Sequence, residues 1–173
     1  MTNRTVLRLC VTVTLACLLM ATAAVQVAIA EGTSPAPEPA LLSMEANLLD
    51  LLNGERAQLG VPALQVDDQL EALARQRSQD MADRGYFSRV TPEGSMVFDV
   101  MNEMGIPYQL AGENLAHNSA SPQDSPSVAH KGFMGSPAHA QDDQDPQFNR
   151  VGIGVAQASD GSTYFTELFA EMN

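Results

Sequence analysis

The amino-acid sequence predicts an α+β domain, an αβα sandwich in which helices flank a small antiparallel sheet. In the first half of the chain, apolar residues recur at helical spacing over residues 41–59 and again over residues 68–85. Near the C-terminus the period changes to two. Branched apolar residues alternate with glycine or alanine over residues 151–156, and residues 163–169 alternate again. Helices that come first and strands that come last argue against a βαβ repeat.

Stop and capping signals bound the two long helices. The first is expected to end before Gly60 and Pro62, which interrupt a helix. The second is expected to begin at Asp68 as the N-cap, with Glu71 three residues on as in a capping box, and to end at Gly85. The apolar pattern and these signals therefore agree on where each helix lies.

Shorter elements are expected in the middle of the chain. Residues 91–94, Thr-Pro-Glu-Gly, predict a β-turn, and Ser95 is the expected N-cap of a third, short helix. The polar residues 117–127 predict a surface loop before a last helix at residues 128–134. Residues 160–161, Asp-Gly, predict the turn of the C-terminal hairpin.

The composition excludes one large class of partners. The chain has 173 residues, with 9 Lys and Arg against 21 Asp and Glu, and its formal net charge is −12. Proteins that bind phosphate backbones non-specifically collect basic residues, so we expect no nucleic acid among the partners. The length suits one domain of ordinary size.

Residues 1–30 have the pattern of a secretory signal peptide. Two arginines precede an apolar run, and Ala28-Ile29-Ala30 supplies an A-x-A cleavage site. Two alternatives are an uncleaved transmembrane anchor and a lipoprotein attached at Cys17. We expect cleavage after Ala30 and a secreted or extracellular protein, with the membrane as a partner only if the segment stays attached.

The predicted organisation is a signal peptide at residues 1–30, a Pro-rich linker at residues 31–40 and one domain at residues 41–173. Both cysteines, Cys10 and Cys17, lie in the signal segment. A mature domain without cysteine cannot use a disulfide, a thiolate zinc site or a Cys nucleophile. Its stability must therefore come from a packed core.

The common catalytic signatures are missing from the sequence. It contains no G-x-S-x-G, no H-E-x-x-H, no phosphate-binding Walker loop and no dinucleotide-binding G-x-G-x-x-G. His117, His130 and His139 are either surface or structural residues, or ligands that folding brings together with carboxylates. The sequence predicts no cofactor.

Some carboxylates differ in their sequence context from the solvated majority. Glu113 lies among small and apolar residues in Ala-Gly-Glu-Asn-Leu-Ala, so it needs a hydrogen-bond donor, in either a structural or a functional role. Glu167 is expected to face solvent on an edge strand. The run of Asp142, Asp143 and Asp145 lacks the glycine and glutamate of an EF-hand loop and is expected to be a solvated acidic loop.

Several segments of the chain carry motifs that follow one another in a fixed order. LLNGERAQLGVPALQ and ALARQRSQDMADRGYFSRVTPEG are similar to a pair of opening helices followed by an F-S-H-x-x-P-x-G segment. AGENLA is similar to G-E-N-[IL]-A, and KGFMGSPAHA to W-x-x-S-P-G-H. NRVGIGVA and YFTELFA resemble the strands I-G-V-G-V-A and Y-[WF]-T-Q-[VL]-F. Together these segments resemble the bacterial branch of the CAP superfamily, which comprises cysteine-rich secretory proteins, antigen 5 and pathogenesis-related protein 1. The resemblance covers about Leu48 to Phe169 and implies an αβα sandwich in an extracellular setting.

The family places two histidines and acidic residues in a central cavity that binds a divalent metal in some members. By this resemblance Glu113 and His139 are cavity residues, whereas Arg89 stands where the family has the histidine of F-S-H. A guanidinium stays charged and cannot ligate a metal, and it offers Glu113 a salt-bridge partner instead. Acidic residues from Asp142 also replace the N-I-L that follows the histidine. We therefore expect an altered cavity and no metal, with Glu113 and His139 as weak candidate ligands.

Three functions remain open from the sequence. The first is an extracellular binding or interaction module with an undefined ligand, favoured because the sequence lacks a set of nucleophile, base and orienting residue. The second is a hydrolase or protease that uses Glu113 and His139 as an acid and base pair. The third, suggested by the resemblance to some family members, is lipid or sterol binding in a groove between helices.

Overall fold

The computed structural model describes residues 38–173, and the predicted signal peptide lies outside this range. No helix in the described range is long and apolar enough to cross a membrane. The described chain has nine elements: α1 (Pro39–Gln58), β1 (Gln65–Val66), α2 (Asp68–Arg84), α3 (Val97–Glu103), β2 (Leu110–Asn118), α4 (Ser125–Met134), α5 (Pro137–Gln144), β3 (Arg150–Gln157) and β4 (Thr163–Glu171).

Four strands form one sheet in the order β1-β3-β4-β2. The hairpin β3–β4 and the pair β2–β4 are antiparallel, and only the two-residue β1 runs parallel to its neighbour β3. Because β2 has a partner on one side only, it is an edge of the sheet. The predicted C-terminal hairpin and the α+β fold class are confirmed, since helices cover both faces of a small, mainly antiparallel sheet.

One face of the sheet packs tightly against α2. Gly152 and Gly154 of β3 lie under this helix, and a Cβ atom at either position would meet the backbone of Leu70 or Ala74 at 2.1 Å. Two glycines in a strand therefore allow the helix backbone to approach the sheet closely. A second cluster of buried apolar residues, which includes Leu73 and others of α2, α3 and β4, completes this layer.

The opposite face carries the larger core and is covered by α1, α4 and α5. Its buried side chains come from two helices and from both strands of the hairpin, and include Leu48, Leu52, Phe133, Phe165 and Phe169. Burial of an aromatic or leucine side chain of this kind stabilises the fold by about 1.5–3 kcal/mol. This core supplies the stability that a domain without disulfides requires.

The long helices lie where the sequence predicted them, but their caps differ. Asp67, not Asp68, is the N-cap of α2, because its carboxylate accepts hydrogen bonds from the backbone N–H groups of Gln69 and Leu70. Gly85 ends α2 with a φ of 65°, as expected for a left-handed C-cap. Ser95 does not cap α3, since that helix begins one residue later, after Met96.

The region between residues 110 and 145 differs more from the prediction. Strand β2 extends to Asn118, so the predicted loop at 117–127 shrinks to the residues between β2 and α4. The predicted acidic loop is partly a helix, α5, and Asp143 within it is fully buried. Glu167 is fully buried as well, because β4 lies inside the sheet, between β3 and β2, and is not an edge strand.

Candidate functional site

Strand β2 places neighbouring polar residues on opposite faces of the sheet. Successive side chains of a strand point to opposite sides, so Glu113 and Asn114 diverge. Glu113 meets Arg77 of α2, whereas the Asn114 amide meets α5. The Gly-Glu-Asn segment therefore contributes to two separate polar sites, one on each face.

On the α2 face, Glu113 forms a buried ion pair with Arg77. The Arg77 Nε donates to Glu113 Oε1 at 3.2 Å, and the two side chains are only 5% and 1% exposed. Burial raises the pKa of Glu113, while the charge and the hydrogen bond of Arg77, and more weakly Arg89, act against this rise. Arg77 is therefore the cation that compensates this carboxylate.

Arg77 also fixes the segment that follows α2. Its Nη1 donates to the Tyr86 hydroxyl at 2.6 Å, and its Nη2 donates to the backbone carbonyl of Ser88. Tyr86 in turn donates to Asp80 on α2. This network holds the intervening Phe87 next to the end of β2.

Arg89 takes a different position from the one that the resemblance suggested. Its Nη2 donates to the backbone carbonyl of Glu113 at 2.8 Å, at the free edge of β2, and the carboxylate of Glu113 pairs with Arg77 instead. The residue is largely exposed. Arg89 thus satisfies an edge-strand carbonyl and carries its positive charge towards His139, whose pKa it helps to lower.

A pocket of about 300 Å³ lies beside this edge, between the end of β2, helix α4 and Phe87. Its walls are largely apolar, with two imidazoles and one amide among them. The lining residues are Phe87, Leu115, Ala116, His117, Asn118, Val128, Ala129, Gly132, Phe133 and His139. Neither Glu113 nor Arg89 is among them, so of the three cavity residues inferred from the resemblance, only His139 faces this space.

Two of the histidines belong to the pocket wall. His139 packs edge-on against the Phe133 ring, with 5.6 Å between centroids, and both its burial and the charge of Arg89 lower its pKa. His117 contacts the Tyr164 ring, with 4.4 Å between centroids, and lies near Phe87. The walls thus combine aromatic surface with two imidazoles that can donate or accept hydrogen bonds.

On the other face of β2, Asn114 lies beside two buried carboxyls, those of Asp143 and Glu167. Its Nδ2 donates to Asp143 Oδ1 at 2.6 Å and to the His139 carbonyl at 3.0 Å. Asn114 lies directly across from Glu167 in the β2–β4 register. Burial raises the pKa of Asp143 to about 7 and that of Glu167 well above its ordinary value. The sequence signal for this site was the replacement of N-I-L by acidic residues from Asp142.

The residues present do not fit the divalent metal that some family members bind. Glu113 is committed to Arg77, its side chain leaves the sheet on the face opposite α5, and Arg89 replaces one imidazole. Within residues 38–173, no group of three or more His, Cys, Asp and Glu is arranged to hold a metal ion. We therefore assign no role to a metal in this chain.

The chain belongs to the cysteine-rich secretory protein (CAP) family, whose sequence model matches residues 49–169. It is 34% identical over 126 residues to the uncharacterised Bacillus subtilis protein YkwD, and the aligned region covers 73% of this chain and 47% of YkwD. It is 30% identical over 125 residues to the uncharacterised membrane protein YlbC of the same species, over 72% of this chain and 34% of YlbC. The chain therefore spans less than half the length of these relatives.

Solved structures show the same fold. An extracellular SCP-domain protein of Bacillus anthracis is 26% identical, with a TM-score of 0.65 over 80% of this chain and 45% of that one. An outer surface protein of Borrelia burgdorferi has a TM-score of 0.67 at 18% identity, over 76% of this chain and 94% of that one. The structural likeness thus extends across bacteria whose sequences have diverged widely.

Two residues that shape the candidate site had no distinctive signal in the sequence. Arg77 lies in a polar helical stretch with several other charged residues, and only the fold shows that it faces the sheet. Phe87 is one of the few aromatic residues, but its place on the pocket wall depends on the hydrogen bonds of Arg77 to Tyr86 and Ser88. Periodicity identifies the buried face of a helix but does not identify the partner of a buried charge.

Proposed function

We propose that this protein is an exported, extracellular CAP-domain binding module whose pocket holds a small, mainly apolar ligand with one polar end. The observation that carries the proposal is the pocket of about 300 Å³ between β2, α4 and Phe87. Its volume lies at the lower end of the range for small-molecule sites, and its lining combines apolar walls with a few polar groups, as is usual for them. Export rests on the signal pattern of residues 1–30 and on the extracellular relative of Bacillus anthracis.

The chemistry of the walls defines the ligand class. Val128, Ala129 and Phe133 favour an apolar body, such as part of an acyl chain or a small ring. The lowered pKa of His139 favours its neutral form at neutral pH. A neutral imidazole offers one donor and one acceptor, so it suits a carboxyl, hydroxyl or amide end.

The hydrolase alternative receives less support from the geometry. An acid and base pair must reach the same reacting atoms, within hydrogen-bond distance or through one water. The Glu113 carboxylate is buried against Arg77 and is not part of the pocket wall, whereas His139 is. If a peptide or ester substrate were turned over and both Glu113→Gln and His139→Ala abolished that turnover equally, the binding-module proposal would be wrong.

Substitution at Gly132 tests the pocket directly. A Cβ at Gly132 of α4 meets no atom within 4 Å, so Gly132→Leu can place its side chain in the pocket without a backbone clash. Gly54→Leu is the matched control, because Gly54 is also helical with open space around its Cβ but lies on α1, away from the pocket. Both changes should leave stability equal or raised by about 1 kcal/mol, since glycine is a poor helix former.

The probe is dodecanoate, titrated by calorimetry and by NMR of the pocket residues. We expect Gly132→Leu to weaken binding at least tenfold, while Gly54→Leu binds as the wild type does. Mass spectrometry of the protein as isolated would identify any lipid that copurifies. Equal affinity in the wild type and Gly132→Leu, or no binding of apolar probes at all, would contradict the proposed site.

A further inference from the structure

Helix α5 has little apolar attachment to the rest of the domain. It comprises eight residues, Pro137–Gln144, and Asp143 is its only fully buried residue. Most short helices dock through an apolar stripe, so docking through a carboxyl is unusual. The same helix carries His139, which forms part of the pocket wall.

The Asp143 carboxyl meets another carboxyl, that of Glu167. Both residues are fully buried, and each carboxyl lies close enough to the other to affect its pKa. Asp143 Oδ2 and both Glu167 oxygens find no N–H or O–H donor among the described residues. Two carboxylates contain no proton between them, so a hydrogen bond that joins them requires one of the two to be protonated.

The cation that acts on this pair is Arg56, and one positive charge can balance only one negative charge. Arg56 of α1 is fully buried, and its guanidinium donates to the backbone carbonyls of Pro62, Asp143, Asp145 and Phe148. Its positive charge therefore has no direct carboxylate partner in this network. A pair that keeps one proton carries one negative charge and balances Arg56, whereas a fully ionised pair would leave an excess buried charge.

The other charged groups around the pair strengthen this requirement. On α5 itself the Asp142 carboxylate repels a negative charge on either member. From β2 only the neutral Asn114 amide donates to the pair, and Glu113 points to the other face. Helix α4 meets α5 through Phe133 and Met134, and its His130 is instead influenced by Glu55 of α1.

We propose that a proton shared by Asp143 and Glu167 attaches α5 to the sheet, so that the pocket wall at His139 loosens as the pH rises. Asn114 transmits the effect, because its amide holds both the Asp143 carboxyl and the His139 carbonyl. The consequence for ligand affinity rests on the proposed pocket, whereas the attachment of α5 does not.

The sign of the pH dependence follows from linkage. Burial raises the pKa of both carboxyls above the ordinary values of 3.8 and 4.5, so the docked state holds protons that an undocked state releases. The stabilisation is complete below about pH 4 and falls as the pH rises through 7 and beyond. For each proton that the docked state retains and the undocked state releases, a rise of one pH unit in that range lowers the docking equilibrium constant by up to tenfold.

Hydrogen exchange of the α5 amides measures this docking without any ligand. As the pH rises above 6 we expect the protection of α5, corrected for intrinsic exchange rates, to fall by up to tenfold per unit relative to α2. Glu167→Gln should abolish this extra slope, since an amide N–H replaces the shared proton. Asp143→Asn should do the same, and Glu171→Gln, on the same strand, should retain the wild-type slope.

Three results would overturn the shared proton. The protection of α5 could fall no faster with pH than that of α2, or the slope could survive in both Glu167→Gln and Asp143→Asn. Restoration of α5 protection at pH 9 by added Ca²⁺ would show that the carboxyl oxygens of Asp143 and Glu167 bind a cation instead of sharing a proton. Failure of dodecanoate to bind would refute the ligand site and leave these exchange results unaffected.

Discussion

Two buried carboxyl sites lie on opposite faces of the same strand and solve the same electrostatic problem differently. On the α2 face Glu113 faces the guanidinium of Arg77 at 3.2 Å. On the α5 face Glu167 faces the carboxyl of Asp143, with Asn114 as the only side-chain N–H donor to the pair among the described residues. One site is compensated by a fixed cation and the other by an exchangeable proton.

These two kinds of charge compensation have different consequences for helices α2 and α5. Helix α2 is fixed by close packing over Gly152 and Gly154 and by an ion pair whose cation stays charged at all ordinary pH values. Helix α5 depends on a group that titrates. We therefore expect the α2 face to act as the rigid frame and the α5 face, which carries His139, to respond to pH.

The largest effect is expected from Arg77→Met, which removes the cation from the first site. A buried carboxylate left unpaired costs about 3 kcal/mol or more in the free energy of unfolding. Glu113 would then keep a proton instead, because burial already raises its pKa and Arg77 is the main force that opposes the rise. The loss, measured by urea unfolding, should therefore be larger at pH 8 than at pH 5.

The control for this change is the double variant Arg77→Met with Glu113→Gln, which removes the charge at both partners. It should recover part of the lost stability and lose the added pH dependence, because no buried ionisable group remains at the site. A loss below about 1 kcal/mol in Arg77→Met that is equal at both pH values would show that Arg77 does not compensate Glu113.

A smaller effect is expected from Arg89→Ala, which tests whether the edge of β2 connects the two faces electrostatically. Arg89 is exposed, so the cost in stability should be about 1 kcal/mol or less. Because the charge of Arg89 adds to burial in lowering the pKa of His139, its removal should raise that pKa. NMR titration of the His139 ring measures this pKa, with Arg84→Ala as the control. An unchanged or lower pKa would refute the electrostatic effect of Arg89 on His139.

The frame of the molecule could be predicted from the sequence because it depends on local pattern. Hydrophobic periodicity together with capping and turn residues locates α1, α2 and the β3–β4 hairpin. The motifs around Glu113 and His139, taken in order, identify the family. The predicted cap of α2 was wrong by one residue, because Asp67 carries the same carboxylate as its neighbour Asp68. Only the backbone geometry decides which of them accepts the N–H bonds.

The two carboxyl sites could not be predicted in the same way, because both depend on contacts between distant segments. The sequence predicts Glu167 in solvent on an edge strand, and only the pairing of β2 with β4 places it inside the sheet. Asp143 was assigned to a loop because its neighbours are acidic and polar. The partnership of Arg77 with Glu113 spans 36 residues and has no local signal.

Infrared spectroscopy of the carboxyl groups tests the central claim most directly. At about pH 8 ordinary carboxyls are ionised, so a protonated carboxylic acid gives an isolated carbonyl band in the spectrum. We predict that the wild-type protein shows this band at pH 8 and that Glu167→Gln and Asp143→Asn each remove it. Absence of the band in the wild type, or its survival in both variants, would contradict a proton shared by Asp143 and Glu167.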